Sequence, residues 1–315
     1  ILIKIIIFLL SACKKMKLIC PDPYLFSPEI IKKVKKKYSS FIKELTQEKF
    51  NQIGKDYEVI LTRFSKYVGK EIMSKDTKVK YILSPATSLN HIDVELAKKK
   101  KIKIFYLNEK KFLKNVTATA EHTWLLTLAS IRKLVPASNS VLKKKWSPIG
   151  FKGQELSKKN IGIVGFGRLG KKIGKYAKAF GMNVLIYDPL KNFNNLNVLH
   201  KNCDILTFHI HPDANTTGMV TKEYIEEFEK NLYVINTSRG EIVDEESLIE
   251  CLKIGKLYGY ATDVIKDEFG SIKESNLVKS ATKYNIIITP HIGGMTTQAQ
   301  EIAYNGIINK FKAEK

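Results

Sequence analysis

Ten residues constrain this chain more than any others: Ile161-Gly162-Ile163-Val164-Gly165-Phe166-Gly167-Arg168-Leu169-Gly170. The apolar run Ile161–Val164 reads as a buried parallel strand, and the next residues form G-x-G-x-x-G. The helical spacing that follows puts Leu169, Ile173, Tyr176, Ala177 and Phe180 on one face. Each glycine has a physical task. Gly165 permits the turn off the strand, Gly167 admits a pyrophosphate against the backbone, and Gly170 brings helix and strand close. Arg168, Leu169 and Gly170 open the helix, whose first N–H groups and positive dipole end suit phosphates. A second strand, Asn183–Tyr187, ends in Asp188, at the spacing where a dinucleotide unit holds the adenosine ribose hydroxyls. Asp188 repels a 2′-phosphate, which favours NAD over NADP, and Lys191 softens that preference.

The 315 residues suffice for two domains. A net charge of +22 stands out, much of it in the runs Lys35–Lys37, Lys98–Lys101 and Lys143–Lys145. Such runs can mark nucleic-acid or membrane surfaces. Here no aromatic interleaving or nucleic-acid motif accompanies them, so solvated helix ends are the expectation, with neither nucleic acid nor membrane as a partner. The positive field would still draw in an anionic substrate. Four scattered cysteines, Cys13, Cys20, Cys203 and Cys251, form no C-x-x-C pair or metal spacing. They suit a reducing cytoplasm without structural disulfides, and no metal site is expected.

The apolar run 1–10 leads into Leu10-Ser11-Ala12-Cys13, which is similar to a lipoprotein cleavage box. The run is too short to span a bilayer, and Met16 opens a natural first strand, so residues 1–15 are expected to be a non-native upstream segment. From there the chain alternates: a strand at 16–20, a helix at 28–48 with Ser27-Pro28-Glu29 as its start, and strands at 57–62, 79–83 and 102–106. This predicts a small parallel α/β domain over 16–113, completed by a last helix at 296–312 within 295–315. A long apolar helix at 117–135 bridges into the dinucleotide domain, 114–294, with strands at 161–165, 183–187, 205–208, 232–236, 258–262 and 286–289. The expected fold is therefore α/β, a Rossmann domain inserted in a smaller flavodoxin-like substrate domain.

Further segments carry chemistry. Val234-Ile235-Asn236-Thr237-Ser238-Arg239-Gly240 precedes Gly259-Tyr260-Ala261-Thr262-Asp263-Val264, Glu268 lies five residues past Asp263, and Ile288-Thr289-Pro290-His291-Ile292-Gly293-Gly294 closes the domain. Hydride transfer between a nicotinamide and an alcohol carbon needs a base for the hydroxyl proton, and an anionic substrate needs a cation to hold it. His291, at a strand's carboxyl end where open α/β sheets bind ligands, suits proton transfer in both directions. Glu268 would hold its imidazole and keep the protonated form available for reduction. Arg239 offers a planar two-pronged donor for the substrate carboxylate. His209 ends a strand facing the cofactor, whereas His122 reads as a helix-packing histidine.

Together with Ala120-Glu121-His122-Thr123 and Phe208-His209-Ile210, these segments resemble the D-isomer-specific 2-hydroxyacid dehydrogenases, nearest to the phosphoglycerate dehydrogenase branch, from Met16 to the C-terminus. The resemblance implies an NAD-dependent oxidoreductase acting on CH–OH, a cytoplasmic homodimer joined through the NAD-binding domain, and an active site in the cleft between domains. It assigns Arg239, Glu268 and His291 to catalysis and Asp263 to the nicotinamide's surroundings, with His209, Thr237, Gly293 and Gly294 also on the cofactor side. The helix at 117–135 is the candidate dimer interface. Two departures matter. His211 stands where the family's usual proline would be, with Pro212 one place later. The loop 84–90 shows Ala86-Thr87-Ser88, and no arginine, where a phosphate would be gripped. Ala86, Thr87, Ser88 and Asn115 remain the substrate candidates, and 3-phosphoglycerate is one substrate reading. A glyoxylate- or hydroxypyruvate-type reductase is the nearest rival. A non-catalytic NAD(H)-sensing corepressor is a rival of another class.

Overall fold

The computed structural model describes residues 15–107, 113–268 and 272–313. The expectation for residues 1–15 falls, except for Lys15, outside them. The chain divides into two compact units. One runs up to Val116 and resumes at Met295, and the other is Thr117–Gly294.

The first unit is a five-stranded parallel sheet of β1 (Lys17–Cys20), β2 (Ser39–Ile42), β3 (Val59–Leu61), β4 (Tyr81–Ser84) and β5 (Lys103–Tyr106), in the order β2-β1-β3-β4-β5. That order is the flavodoxin-like one. Apolar clusters cover both faces, as a parallel sheet requires. Leu18, Val59, Leu61 and Leu83 lie in one, and Ile19, Ile60 and Ile82 in the other. The helix Thr297–Ala313 packs into the first cluster through Phe311, whose ring meets Tyr81 at 4.9 Å and Phe105 at 5.2 Å.

The single helix expected over 28–48 is two helices with a strand between them. Ser27 caps the first, Pro28–Lys37, by accepting the Ile30 N–H at 3.4 Å. Pro28 at its start, Glu29 in its first turn and lysines in its last turn complement the dipole. It ends because Tyr38 turns extended and buries its ring, and Ser39–Ile42 then pairs with β1. Thr46 caps a fresh helix, Gln47–Ile53, by accepting the Lys49 N–H at 3.2 Å.

The second unit is a six-stranded parallel sheet: β6 (Asn160–Val164), β7 (Asn183–Tyr187), β8 (Ile205–Phe208), β9 (Leu232–Asn236), β10 (Leu257–Thr262) and β11 (Ile286–Ile288). Its order is β11-β10-β9-β8-β6-β7. Every residue of β8 and β9 is buried, so these strands read as uninterrupted apolar runs. The bridge expected at 117–135 ends earlier, as Ala118–Ile131, and is mostly buried in its own unit. Lys133 in the left-handed region starts a separate helix, Leu134–Leu142, none of whose residues is buried. No helix among the described residues is long and apolar enough to cross a membrane, and none of them forms a cluster of three His, Cys, Asp or Glu able to hold a metal ion.

Candidate active site

All the chemistry-bearing residues of the second unit lie at the carboxyl edge of its sheet. Gly165–Gly170 follow β6, Asp188 follows β7, His209 follows β8, Thr237–Arg239 follow β9, Asp263 follows β10 and His291 follows β11. This is where open parallel sheets bind ligands.

Two glycines of the turn are sterically obligatory. Gly165 has φ +90°, and a Cβ there would stand 2.7 Å from the His209 carbonyl oxygen. A Cβ at Gly170 would collide with the Gly165 carbonyl. Gly167 faces open space, and it caps the helix Arg168–Ala179 without any side-chain hydrogen bond. The open space at Gly167 and the positive end of the helix it starts make a cradle that fits a dinucleotide pyrophosphate. Asp188 is nearly buried. Its Oδ2 accepts the Phe166 N–H and the Lys191 ammonium, each at 2.8 Å. Burial works to raise this carboxyl, but Lys191 and the Phe166 N–H hold it below the usual carboxylate range. A backbone pair between Asp188 and Phe193, at 3.0 and 3.2 Å, closes the loop that sets Lys191 over the carboxylate.

His209 Nε2 meets the Thr207 hydroxyl at 3.1 Å, and its buried Nδ1 has no partner. Burial pushes this ring down to about 4, so it is neutral near pH 7. Thr237 is buried, its hydroxyl 2.6 Å from that of Thr123 on the helix Ala118–Ile131. Between them Asn236 shapes the turn. Its Oδ1 accepts the Ser238 N–H at 3.0 Å and the Ser238 hydroxyl at 2.7 Å, and its Nδ2 donates to the Arg239 carbonyl at 2.8 Å. Arg239 donates to the Ser238 carbonyl. Burial lowers its guanidinium, against the pull of Glu268 and Glu241.

Glu268 Oε2 meets His291 Nδ1 at 2.7 Å. His291 itself has φ +54°, a conformation rare for a side-chain-bearing residue, and its N–H donates to the carbonyls of Asp263 and Thr289, both at 2.9 Å. What imposes this turn is Asp263. It is 2% exposed, and its carboxylate accepts the Thr289 hydroxyl at 2.6 Å, the Ile292 N–H at 2.8 Å and the Gly293 N–H at 2.7 Å. A Cβ on Gly293 would stand 2.9 Å from that carboxylate, and Gly294 follows directly. His122 completes the cluster, with Nε2 2.9 Å from the Thr289 hydroxyl and 3.3 Å from Asp263 Oδ1. His122 therefore does more than pack a helix. It ties Ala118–Ile131 to the turn that carries His291, a contact spanning 167 residues of sequence that no local pattern foretells.

The first unit places the substrate candidates by themselves. Ala86–Ser88 lie just past β4. The Ala86 carbonyl accepts the Leu107 N–H at 2.9 Å, Ser88 bonds Asn90 at 2.8 Å, and Asn115 is exposed. The arginine missing from this loop is found one strand away. Arg63, two residues past β3, is 6% exposed, and its Nε has no hydrogen-bond partner. Its Nη1 donates to the Leu25 carbonyl at 3.4 Å and the Met295 thioether at 3.2 Å, and the guanidinium lies 5.1 Å from the centre of the Phe64 ring. Arg63 could have been noticed from its place after an apolar strand, the same signal that marks Asp188.

Residues 124–293 match the family model described as D-isomer specific 2-hydroxyacid dehydrogenase, NAD binding domain. The chain is 33% identical over 279 residues to a D-3-phosphoglycerate dehydrogenase of Methanocaldococcus jannaschii, covering 85% of this chain and 52% of that one. It is 31% identical over 263 residues to a hydroxypyruvate reductase of Thermotoga maritima, covering 81% and 84% respectively. The chain thus spans about half the length of the D-3-phosphoglycerate dehydrogenases it matches. Among solved structures, the D-lactate dehydrogenase of Aquifex aeolicus complexed with NAD and lactic acid is similar at a TM-score of 0.73 and 27% identity, covering 94% of each chain.

Proposed function

The chain belongs to the D-isomer specific 2-hydroxyacid dehydrogenase family, and on that premise we propose that it interconverts a D-2-hydroxy acid and its 2-oxo acid with NAD as cofactor. The observation that carries this reading is the 2.7 Å pair of His291 and Glu268, with Arg239 held close to the same glutamate. The glycine cradle and the start of the helix Arg168–Ala179 would hold the cofactor's pyrophosphate and Asp188 its adenosine ribose. When bound, the nicotinamide would supply the hydride for the carbonyl carbon. The chain does the rest. Arg239 anchors the substrate carboxylate through its two-pronged donors. Glu268, on Nδ1, orients the His291 ring and stabilises its cationic form, so that Nε2 delivers the proton to the carbonyl oxygen and takes it back in the reverse direction. Asp263 fixes the turn on which that ring sits, and neutral His209 lines the cofactor side without adding charge.

For the substrate, the names of the relatives point to 3-phosphohydroxypyruvate, and hydroxypyruvate is the rival. Arg63 gives the first unit a buried cation suited to an anionic group. The test is NADH oxidation followed at 340 nm against 2-oxo acids with and without a phosphate, in wild type and His291→Ala. Turnover is expected, with a loss of roughly 10²–10⁴-fold in the variant and NADH binding retained. Unchanged turnover removes His291 from the mechanism. No turnover on any acid, with NADH still bound, favours the NAD(H)-sensing corepressor.

A second copy of the chain is the proposed partner, covering Leu142, Trp146 and Ile149, which are 79, 90 and 85% exposed. This moves the interface from the helix Ala118–Ile131, whose apolar residues are mostly spent inside its own unit, to residues 134–149. Sedimentation equilibrium giving a monomer would reject it. The buried free thiols of Cys20, Cys203 and Cys251 support a reducing, cytoplasmic setting.

A further inference from the structure

The register of the second sheet brings together two residues that sequence distance separates. Phe208 at the end of β8 pairs with Asn236 at the end of β9. Three residues beyond each stand His211 and Arg239, at the same edge on adjacent strands. The two loops are then stitched together. The Gly218 N–H donates to the Glu241 carbonyl at 2.7 Å, the Val220 N–H to the Ile242 carbonyl at 3.1 Å, and the Asp244 N–H to the Val220 carbonyl at 3.1 Å. The His211 loop is itself rigid. Thr216 donates its hydroxyl to the His211 carbonyl at 2.7 Å, and Asp213 Oδ1 accepts the Asn215 and Thr216 N–H groups at 2.8 and 3.0 Å. Among the described residues the His211 imidazole has no hydrogen-bond partner.

We infer that His211 is a specificity-determining residue, a second, proton-dependent cation beside Arg239 that favours substrates carrying two negative charges over those carrying one. The inference rests on Arg239 being the carboxylate anchor.

The physical argument is linkage. With no anion present, burial and the charge of Arg239 both push the His211 imidazole down from its ordinary range. An anion on Arg239 cancels that repulsion, so anion binding draws a proton onto His211, and the proton in turn strengthens anion binding. A dianion gains more than a monoanion because its second charge meets the imidazolium. The other ionisable groups around this pair are Glu241 and Glu268, which act on the Arg239 guanidinium, and His209 and Asp213 on His211's own segment. His209 is neutral and buried, and the Asp213 carboxylate is taken up by its own turn. None of these duplicates the role.

Oxalate and oxamate test this, being nearly isosteric but carrying two charges and one. Their dissociation constants from the NADH complex would be measured by the fluorescence of bound NADH, from pH 5.5 to 8.5, for wild type, His211→Gln and His211→Asn. In wild type the preference for oxalate should grow as pH falls, by about tenfold if the linked shift is one pKa unit. Both variants should lose most of that growth. Equal slopes in wild type and variants overturn the inference. If neither ligand binds while NADH does, Arg239 is not the anchor and the proposed function fails first. Two variants guard against a folding defect in one of them, and NADH binding by each reports that it is folded.

Discussion

Each unit buries an aspartate just past a central strand of its parallel sheet, Asp22 in the first and Asp263 in the second, and their carboxyls are pushed in opposite directions. Asp22, two residues past β1, is fully buried. It accepts the Thr62 hydroxyl at 2.9 Å, the Ser65 hydroxyl at 3.0 Å and the Arg63 N–H at 3.2 Å. Burial raises its carboxyl above the usual range, against those donors and the charge of Lys66. Asp263 is almost as buried, yet it is held below that range. There too burial works to raise it, but the His122 ring, the Thr289 hydroxyl and the Gly293 and Ile292 N–H groups prevail. Both aspartates fasten a loop that carries a basic side chain, Arg63 in one unit and His291 in the other. The difference is the company. Asp263 has a histidine 3.3 Å away and two N–H groups aimed at separate oxygens. The guanidinium of Arg63 instead turns from Asp22 toward Leu25 and Met295. Donors spread over both oxygens with a histidine beside them lower a buried carboxyl, whereas three donors crowded on one oxygen leave burial dominant.

The sharpest way to break this comparison is Asp263→Asn. The amide presents a donor to N–H groups that need an acceptor, so we expect a stability loss of about 3 kcal/mol, the scale of one uncompensated buried polar site. The turn carrying His291 should loosen with it. Turnover should fall while NADH still binds, because the glycine cradle on β6 makes no contact with Asp263. Urea unfolding and NADH titration check the two halves. A variant as stable as wild type would mean that the turn holds itself and that the contrast between the aspartates is incidental.

Much of this was legible in the sequence. The strands 205–208 and 232–236 sit where their apolar runs predict, because strands buried on both faces announce themselves by composition, and the half-buried edge strand 183–187 is marked by its own apolar run Val184–Tyr187. Gly165, Gly170 and Asp188 were readable because one turn needs them at fixed spacing, and His291 with Glu268 because the surrounding segments resemble a family. Ser39–Ile42 was not, since four residues of mixed polarity between two helices carry no period to detect. Nor were the roles of Asp22 and His122. Their partners lie 40 or more residues away along the chain, so only the folded sheet brings them together. Polar contacts of that range leave no local pattern, whereas apolar faces do.

The smallest expected effect is the most diagnostic one. Asp22→Asn removes a carboxyl whose folded state favours its proton. The raised pKa gives the sign. The contribution of Asp22 to stability is fully present below the ordinary carboxylate range and is lost as pH rises through its higher folded value. Wild type should therefore lose stability relative to the asparagine variant as pH rises from 4, at a limiting slope of about 1.4 kcal/mol per pH unit, that of a single proton. Asp263 predicts the reverse, since a lowered folded pKa contributes stability above the ordinary range that disappears as pH falls. Thermal midpoints of wild type and Asp22→Asn, taken from pH 4 to 8, separate the two cases, because every other titrating group cancels in the difference. A difference that widens in favour of the variant with rising pH places Asp22 apart from Asp263. A difference that widens in favour of wild type would mean that Asp22 is a stabilising carboxylate of the same kind, and that the Thr62, Arg63 and Ser65 donors outweigh its burial.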